Sequence, residues 1–164
     1  MSLEDVVERV KAYGCNLVEI TGGEPLAQTE AFSLIGRLCD DGFEVLIETS
    51  GSIDTAPVDK RAKVILDIKC PGSGEEAKNR WENLERLQPQ HDEVKFVIAD
   101  RADYDYAKRV IEEKKLSHHT ILFSPVWGRM DIKALAEWML ADRVPARLQT
   151  QLHKHIWGAD VHGV

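Results

Sequence analysis

The sequence predicts an α/β fold: a mainly parallel sheet of about six strands crossed by helices. Short apolar stretches alternate along the chain with stretches whose apolar residues recur at helical spacing. Capping and stop residues fall between them. Polar and glycine residues gather just after the apolar stretches, where the loops at the carboxyl ends of parallel strands lie.

Leu3, Val6, Val7 and Val10 form one helical face behind Ser2, a candidate N-cap. Leu17 to Ile20 reads as a short buried strand. Ala31, Leu34, Ile35 and Leu38 mark a second helix, which Gly42 is placed to end. Phe43 to Ile47 and Val64 to Ile68 are the second and third strands. After Gly74, the spacing of Ala77, Trp81 and Leu84 predicts a third helix, with Pro89 beyond it. Glu93 to Ile98 is the fourth strand, and Ala107, Val110 and Ile111 mark a fourth helix. Thr120 to Phe123 is the fifth strand. Asp131 is placed to cap a fifth helix carrying Ile132, Leu135, Ala136 and Met139, and Ala146 to Gln149 supplies the last strand. Periodicity alone leaves an open doubly wound sheet and a curved partial barrel both open. No linker-like stretch or close repeat interrupts the rhythm, so a single domain over residues 1–164 is expected.

The chain has 164 residues, enough for one core but short of the ~250 of a closed eight-unit barrel. A net charge of −7 disfavours nucleic acid and anionic lipid as partners. No apolar run is long enough for a membrane span, and Met1 to Asp5 lack the character of a signal peptide. A cytoplasmic location is expected. Cys15, Cys39 and Cys70 are too sparse for a disulfide framework and too far apart for a local zinc or cluster loop. Cys15 and Cys39 read as core or near-core thiols.

Chemistry-bearing residues follow the strands. The first runs into Thr21-Gly22-Gly23-Glu24-Pro25, where two glycines admit a ligand close to the backbone. Strand-edge carbonyls there can accept from a ligand ammonium, and Glu24 adds a charged acceptor. The bland alternative is a tight turn with a surface glutamate. The second strand ends in Glu48-Thr49-Ser50-Gly51 and the third in Asp67-Ile68-Lys69-Cys70-Pro71-Gly72-Ser73-Gly74. The fourth begins Glu93-Val94-Lys95, the fifth ends Ser124-Pro125-Val126, and the last leads to Gln151-Leu152-His153-Lys154. Taken singly, Asp67, Lys69, Glu93 and Lys95 also fit internal ion pairs. The repetition around the strand ends is what favours a ligand pocket.

Thr-Gly-Gly-Glu-Pro-Leu after a strand resembles the methionine-binding motif of the radical S-adenosylmethionine (SAM) superfamily. The Glu-Thr-Ser-Gly, Asp-Ile-Lys-Cys-Pro-Gly-Ser-Gly, Glu-Val-Lys-Phe-Val, Ser-Pro-Val and Gln-Leu-His-Lys segments resemble, in the same order, the 7-carboxy-7-deazaguanine synthases. The resemblance spans essentially the whole chain. It implies a partial (β/α) barrel of the radical SAM type, with outer helices. It also implies ring contraction of 6-carboxy-5,6,7,8-tetrahydropterin to 7-carboxy-7-deazaguanine in queuosine and deazapurine biosynthesis. The implied cofactors are S-adenosylmethionine, a [4Fe-4S] cluster that cleaves it to a radical, and magnesium. By the same resemblance, Gly22, Gly23 and Glu24 hold the methionyl ammonium. Lys69, Ser73 and Ser124 contact the same cofactor, while Thr21, Glu48, His153 and Lys154 face the pterin substrate.

The family's three-cysteine cluster loop and its neighbouring magnesium residue belong upstream of the helix that begins at Leu3. No such segment is present, and no residue is assigned as a catalytic or metal-binding group. An N-terminal truncation or a natural remnant, inactive as it stands, is therefore expected. Its open side should expose apolar surface, and a homodimer is expected. Three alternatives stay open: another radical-activating enzyme of the superfamily, a non-catalytic binding module, and an ordinary nucleotide-binding domain. The last is disfavoured because no G-x-G-x-x-G follows the first strand.

Overall fold

The structure, a computed structural model, describes residues 1–161. Its strands are β1 (Leu17–Ile20), β2 (Glu44–Thr49), β3 (Lys63–Ile68), β4 (Glu93–Ile98), β5 (Thr120–Pro125) and β6 (Ala146–Leu148). They share one sheet in sequence order, with β1 and β6 as its two ends, so the sheet is not a closed barrel. β1 with β2, β2 with β3, and β5 with β6 pair in parallel. Parallel neighbours need crossovers. Helix α1 (Leu3–Ala12) precedes β1, and α2 (Glu30–Asp40) joins β1 to β2. Helix α3 (Arg101–Glu113) joins β4 to β5, α4 (Ile132–Asp142) joins β5 to β6, and α5 (Leu152–Trp157) follows β6. No helix among the described residues is long and apolar enough to cross a membrane.

The chain forms two compact units. The first comprises Met1–Asp67 and Lys78–Glu93; the second comprises Ile68–Ala77 and the residues from Val94 on. In the first unit, Ser2 caps α1 as expected. Its hydroxyl accepts from the Asp5 N–H at 3.1 Å, and the Asp5 carboxylate accepts from the Ser2 N–H at 2.9 Å. Val7, Ile35, Leu38, Val45, Ile47 and Leu66 are fully buried and make the core. Strand β2 runs on to Thr49, beyond the expected end at Ile47. Glu93 makes an ion pair with Lys63 at 3.6 Å.

The predicted third helix does not form. Two short 3-10 turns replace it, Glu76–Lys78 and Trp81–Arg86, after a first such turn at Pro71–Ser73. The physical reason is competition for polar groups. The Arg80 N–H bonds the Gly51 carbonyl at 3.3 Å. The Asn83 side chain donates to the carbonyls of Gly51 at 3.0 Å and Ile53 at 2.8 Å, and accepts from the Thr55 N–H at 3.1 Å. This segment serves the loop after β2 and keeps only 3-10 bonds of its own, such as the Asn83 N–H to the Arg80 carbonyl at 3.0 Å.

In the second unit the core holds an aromatic cluster among aliphatic residues such as Val94, Ile98, Ile121 and Leu135. Phe123 packs edge-on against Phe96, with centroids 5.9 Å apart, and against Tyr104 at 5.8 Å. The Tyr104 hydroxyl donates to Asp142 at 3.1 Å, and burial pushes the phenol far above its usual range. Helix α5 was not expected from the sequence. Leu152, Ile156 and Trp157 on it are exposed, so no buried apolar stripe announces it. The expectation of a core position for Cys15 is also corrected: Cys15 is exposed, Cys39 is half-buried in α2 and Cys70 is buried. Cys15 follows α1 in the turn before edge strand β1, where even Leu17 is 53% exposed.

Candidate functional site

The candidate residues divide between the two units, each near the carboxyl end of a strand or just beyond it. In the first unit, Thr21, Gly22, Gly23 and Glu24 follow β1, and Glu48 lies on β2 one residue before its end. The turn continues into a 3-10 segment, Pro25–Ala27, for which Glu24 is the N-cap. Thr21 through Glu24 form one rim of a cleft of about 520 Å³, whose apolar lining includes Leu3, Val6, Ile20 and Leu34. A cleft of that size, lined about equally by polar and apolar groups, suits a small ligand.

Glu24 is the best-connected side chain of this turn. One carboxylate oxygen accepts from the Leu26 N–H at 3.1 Å and the Thr49 hydroxyl at 2.8 Å. The other accepts from the Ser50 N–H at 2.8 Å, the Thr49 hydroxyl at 3.0 Å and the Ser50 hydroxyl. Reading the residues singled out Glu24 but not its partners. Their only signal was a run of short hydroxyl residues directly after an apolar strand.

In the second unit, Lys69 and Ser73 lie in the loop after β3. The Ser73 hydroxyl donates to the Cys70 carbonyl at 2.6 Å and accepts from the Glu75 N–H at 3.1 Å. The buried Asp103 carboxylate, on α3, pins this loop by accepting from the Gly72 N–H at 2.8 Å and the Ala99 N–H at 3.0 Å. Ser124 is buried near the end of β5. His153 and Lys154 are half-buried on α5. A second cleft, of about 360 Å³, is lined by Val126, Trp127, Met130, Thr150, Gln151 and His155 among others, and neither His153 nor Lys154 lines it. The histidine it presents is His155, edge-on to Trp127 with centroids 4.6 Å apart. No spacing in the sequence distinguished His155 from His153.

An iron–sulfur cluster needs several thiolates converging on one point. Among the described residues no group of three or more His, Cys, Asp or Glu side chains is placed to hold a metal ion. The thiols sit at an exposed turn, on a helix and in a buried loop. Burial, followed by the nearby Asp59 carboxylate, pushes the Cys39 thiol up, away from the thiolate form that binds metal. The described residues therefore do not fit a cluster. The turn after β1, with its polar rim and two glycines, does fit an amino-acid-like group.

No protein-family model matches the chain. Known proteins do. The 7-carboxy-7-deazaguanine synthase of Chlorobaculum tepidum is 44% identical, over all of this chain and 76% of its own length. That of Koribacter versatilis is 43% identical, over all of this chain and 79% of its own. That of Clostridium acetobutylicum is 32% identical, over all of this chain and 76% of its own. Among solved structures, Streptococcus suis SuiB bound to S-adenosylmethionine superposes with a TM-score of 0.59 at 13% identity, covering 92% of this chain and 42% of that one. This last likeness shows a shared fold. At such identity and coverage, the chain belongs to the 7-carboxy-7-deazaguanine synthase family.

Proposed function

We propose that this chain works in the reaction of its family: conversion of 6-carboxy-5,6,7,8-tetrahydropterin to 7-carboxy-7-deazaguanine with S-adenosylmethionine as cofactor. The observation that carries this reading is the Thr21–Pro25 turn. It sits at the carboxyl end of β1, on the rim of a cleft, in a chain 44% identical throughout to such a synthase. In this reading Gly22, Gly23 and Glu24 form the seat of the methionyl ammonium. Lys69, Ser73 and Ser124 meet the remainder of the cofactor. Thr21, Glu48, His153 and Lys154 face the pterin, the last two opposite its carboxylate. When bound, the cofactor supplies the radical. The residues of the chain bind it, orient the substrate and exclude water.

The family's iron–sulfur cluster and magnesium have no ligand set among the described residues, so no step of the reaction is assigned through them. On this reading the chain by itself binds the cofactor weakly and leaves the radical step undone. A cytoplasmic enzyme acting as a homodimer, with no nucleic-acid or membrane partner, completes the proposal. The test is titration of isotope-labelled chain with S-adenosylmethionine and, separately, with the pterin. The cofactor should shift the amide signals of Gly22, Gly23 and Glu24 at millimolar concentration, and the pterin those of Thr21 and Glu48. Shifts confined to residues remote from this turn, or none at saturating ligand, would overturn it.

A further inference from the structure

We propose that Thr49 and Ser50, at the end of β2, are positioning residues for the turn after β1, and that they act through the Glu24 carboxylate. The inference rests on the assignment of that turn to the cofactor, and it changes what Glu24 itself does there. A carboxylate offers about four lone-pair sites. Four donors already converge on Glu24: the Leu26 N–H, the Thr49 hydroxyl, the Ser50 N–H and the Ser50 hydroxyl. A ligand ammonium finds no vacant acceptor on this side chain. Glu24 is a strut between two strand ends, and it serves the ligand by fixing the backbone of Gly22 and Gly23.

The strut has a rigid base. Thr49 is fully buried. Its hydroxyl accepts from the Gly51 N–H at 3.1 Å while donating to Glu24. The Ser50 hydroxyl has one hydrogen, which goes to Glu24, so its 3.0 Å contact with the Ser52 hydroxyl must be a bond donated by Ser52. Gly51 closes the corner at φ 68°, and Asn83 holds its carbonyl from across the unit. The three hydroxyl hydrogens named at the corner are thereby directed, those of Thr49 and Ser50 to Glu24 and that of Ser52 to Ser50.

Substitutions can separate a strut from a direct ligand. In Glu24→Gln one oxygen becomes an amide NH₂. Whichever way the amide lies, that NH₂ faces a backbone N–H, of Leu26 or of Ser50, and a backbone donor cannot reverse. If Glu24 is a strut, Glu24→Gln, Thr49→Val and Ser50→Ala all move the ligand-free amide signals of Gly22, Gly23 and Leu26. They also raise the S-adenosylmethionine concentration at half-saturation by about tenfold each, as expected for loss of a hydrogen bond to a charged group. The double variant Glu24→Gln with Ser50→Ala should bind no worse than Glu24→Gln alone, and Thr49→Ser should restore wild-type behaviour to within about twofold. A thermal melt confirms that each variant is folded.

If the wild-type chain shows no response to S-adenosylmethionine, the cofactor assignment fails, while the ligand-free signals still decide whether the strut exists. Wild-type ligand-free spectra of the turn in Thr49→Val and Ser50→Ala, or additive losses in the double variant, would overturn the proposal.

Discussion

Three glycine-to-alanine substitutions separate the two reasons a strand-end loop can require glycine. Gly51 carries both. Its φ is 68°, and a Cβ there would lie 2.6 Å from Cδ1 of Leu66. Gly14 has nearly the same φ, 64°, with nothing within 4 Å of its Cβ position. Gly72 has no positive φ, yet its Cβ would fall 2.5 Å from one Asp103 carboxylate oxygen and 2.9 Å from the other. Gly14→Ala therefore meets only the backbone cost of a left-handed residue, about 1 kcal/mol. Leu66 is 0% exposed, so its methyl has no solvent to swing into. Gly51→Ala adds an overpacking cost of roughly 1–3 kcal/mol to the same backbone cost.

Gly72→Ala has only the contact term, but the crowded carboxylate also holds the Gly72 N–H. About 1–3 kcal/mol is expected for it, from overpacking together with the strained hydrogen bond. Urea denaturation reads the difference. With a slope of about 2 kcal/mol per molar, Gly14→Ala should lower the midpoint by about 0.5 M and Gly51→Ala by about 1–2 M. Gly72→Ala should fall between them or match Gly51→Ala. Equal shifts for Gly51→Ala and Gly14→Ala would show that Leu66 yields freely and that the corner after β2 is not closely packed. The reasoning about how that corner is held would then be wrong.

Asp103→Asn keeps the shape of the buried strut to the loop after β3 but turns an NH₂ toward one of two backbone N–H groups. It should cost about 1–3 kcal/mol of stability and speed hydrogen exchange at Gly72 or Ala99; unchanged exchange at both would count against the strut. Hydrogen bonds from Arg61, first from its side chain and then from its backbone, lower the Asp59 carboxyl from the usual 3.8 to about 2. Because the folded value is the lower one, the stability this pair adds is fully present above about pH 4 and fades as pH falls through about 2. Carboxyl NMR should show Asp59 titrating near that value, and Arg61→Gln should return it to the ordinary range. A thiol reagent should label Cys15 first, Cys39 slowly and Cys70 only on unfolding, following their exposure; early labelling of Cys70 would contradict the packing of the loop after β3.

Much of the fold was legible because local and global demands agree. The β4 residues Glu93 to Ile98 and the α1 cap at Ser2 were placed from pattern alone. Elements went wrong where a distant polar partner decided the backbone. Ala77, Trp81 and Leu84 have helical spacing, but Asn83 and the Arg80 N–H are spent on the loop after β2. Nothing within Lys78–Arg86 signals that. Helix α5 was missed for the opposite reason: its apolar residues face outward, so periodicity had no core to report. At the site, the Gly22-Gly23-Glu24 turn and Glu48 stood out by residue type, whereas the hydrogen bonds that fix the turn join residues 26 apart in sequence.

The same construction recurs in the loops after β1, β2 and β3 and at the start of β3. Glu24 ties the turn after β1 to the corner after β2. Asn83 holds that corner at Gly51 and at Thr55. Asp103 holds the loop after β3 at Gly72. Asp92, buried beside His91, accepts from the Val64 and Gln88 N–H groups at 2.9 and 2.7 Å. Loops rich in glycine and serine have little apolar surface with which to hold a shape, and their backbone groups lack ladder partners. One polar side chain from another element, bonded two to five times, supplies both constraints. It follows that the Thr-Gly-Gly-Glu-Pro motif does not fix its own geometry. Moved to another strand end without a Thr-Ser pair opposite, its glutamate would have only the Leu26 N–H to bond, and the two glycines would be free to take many conformations.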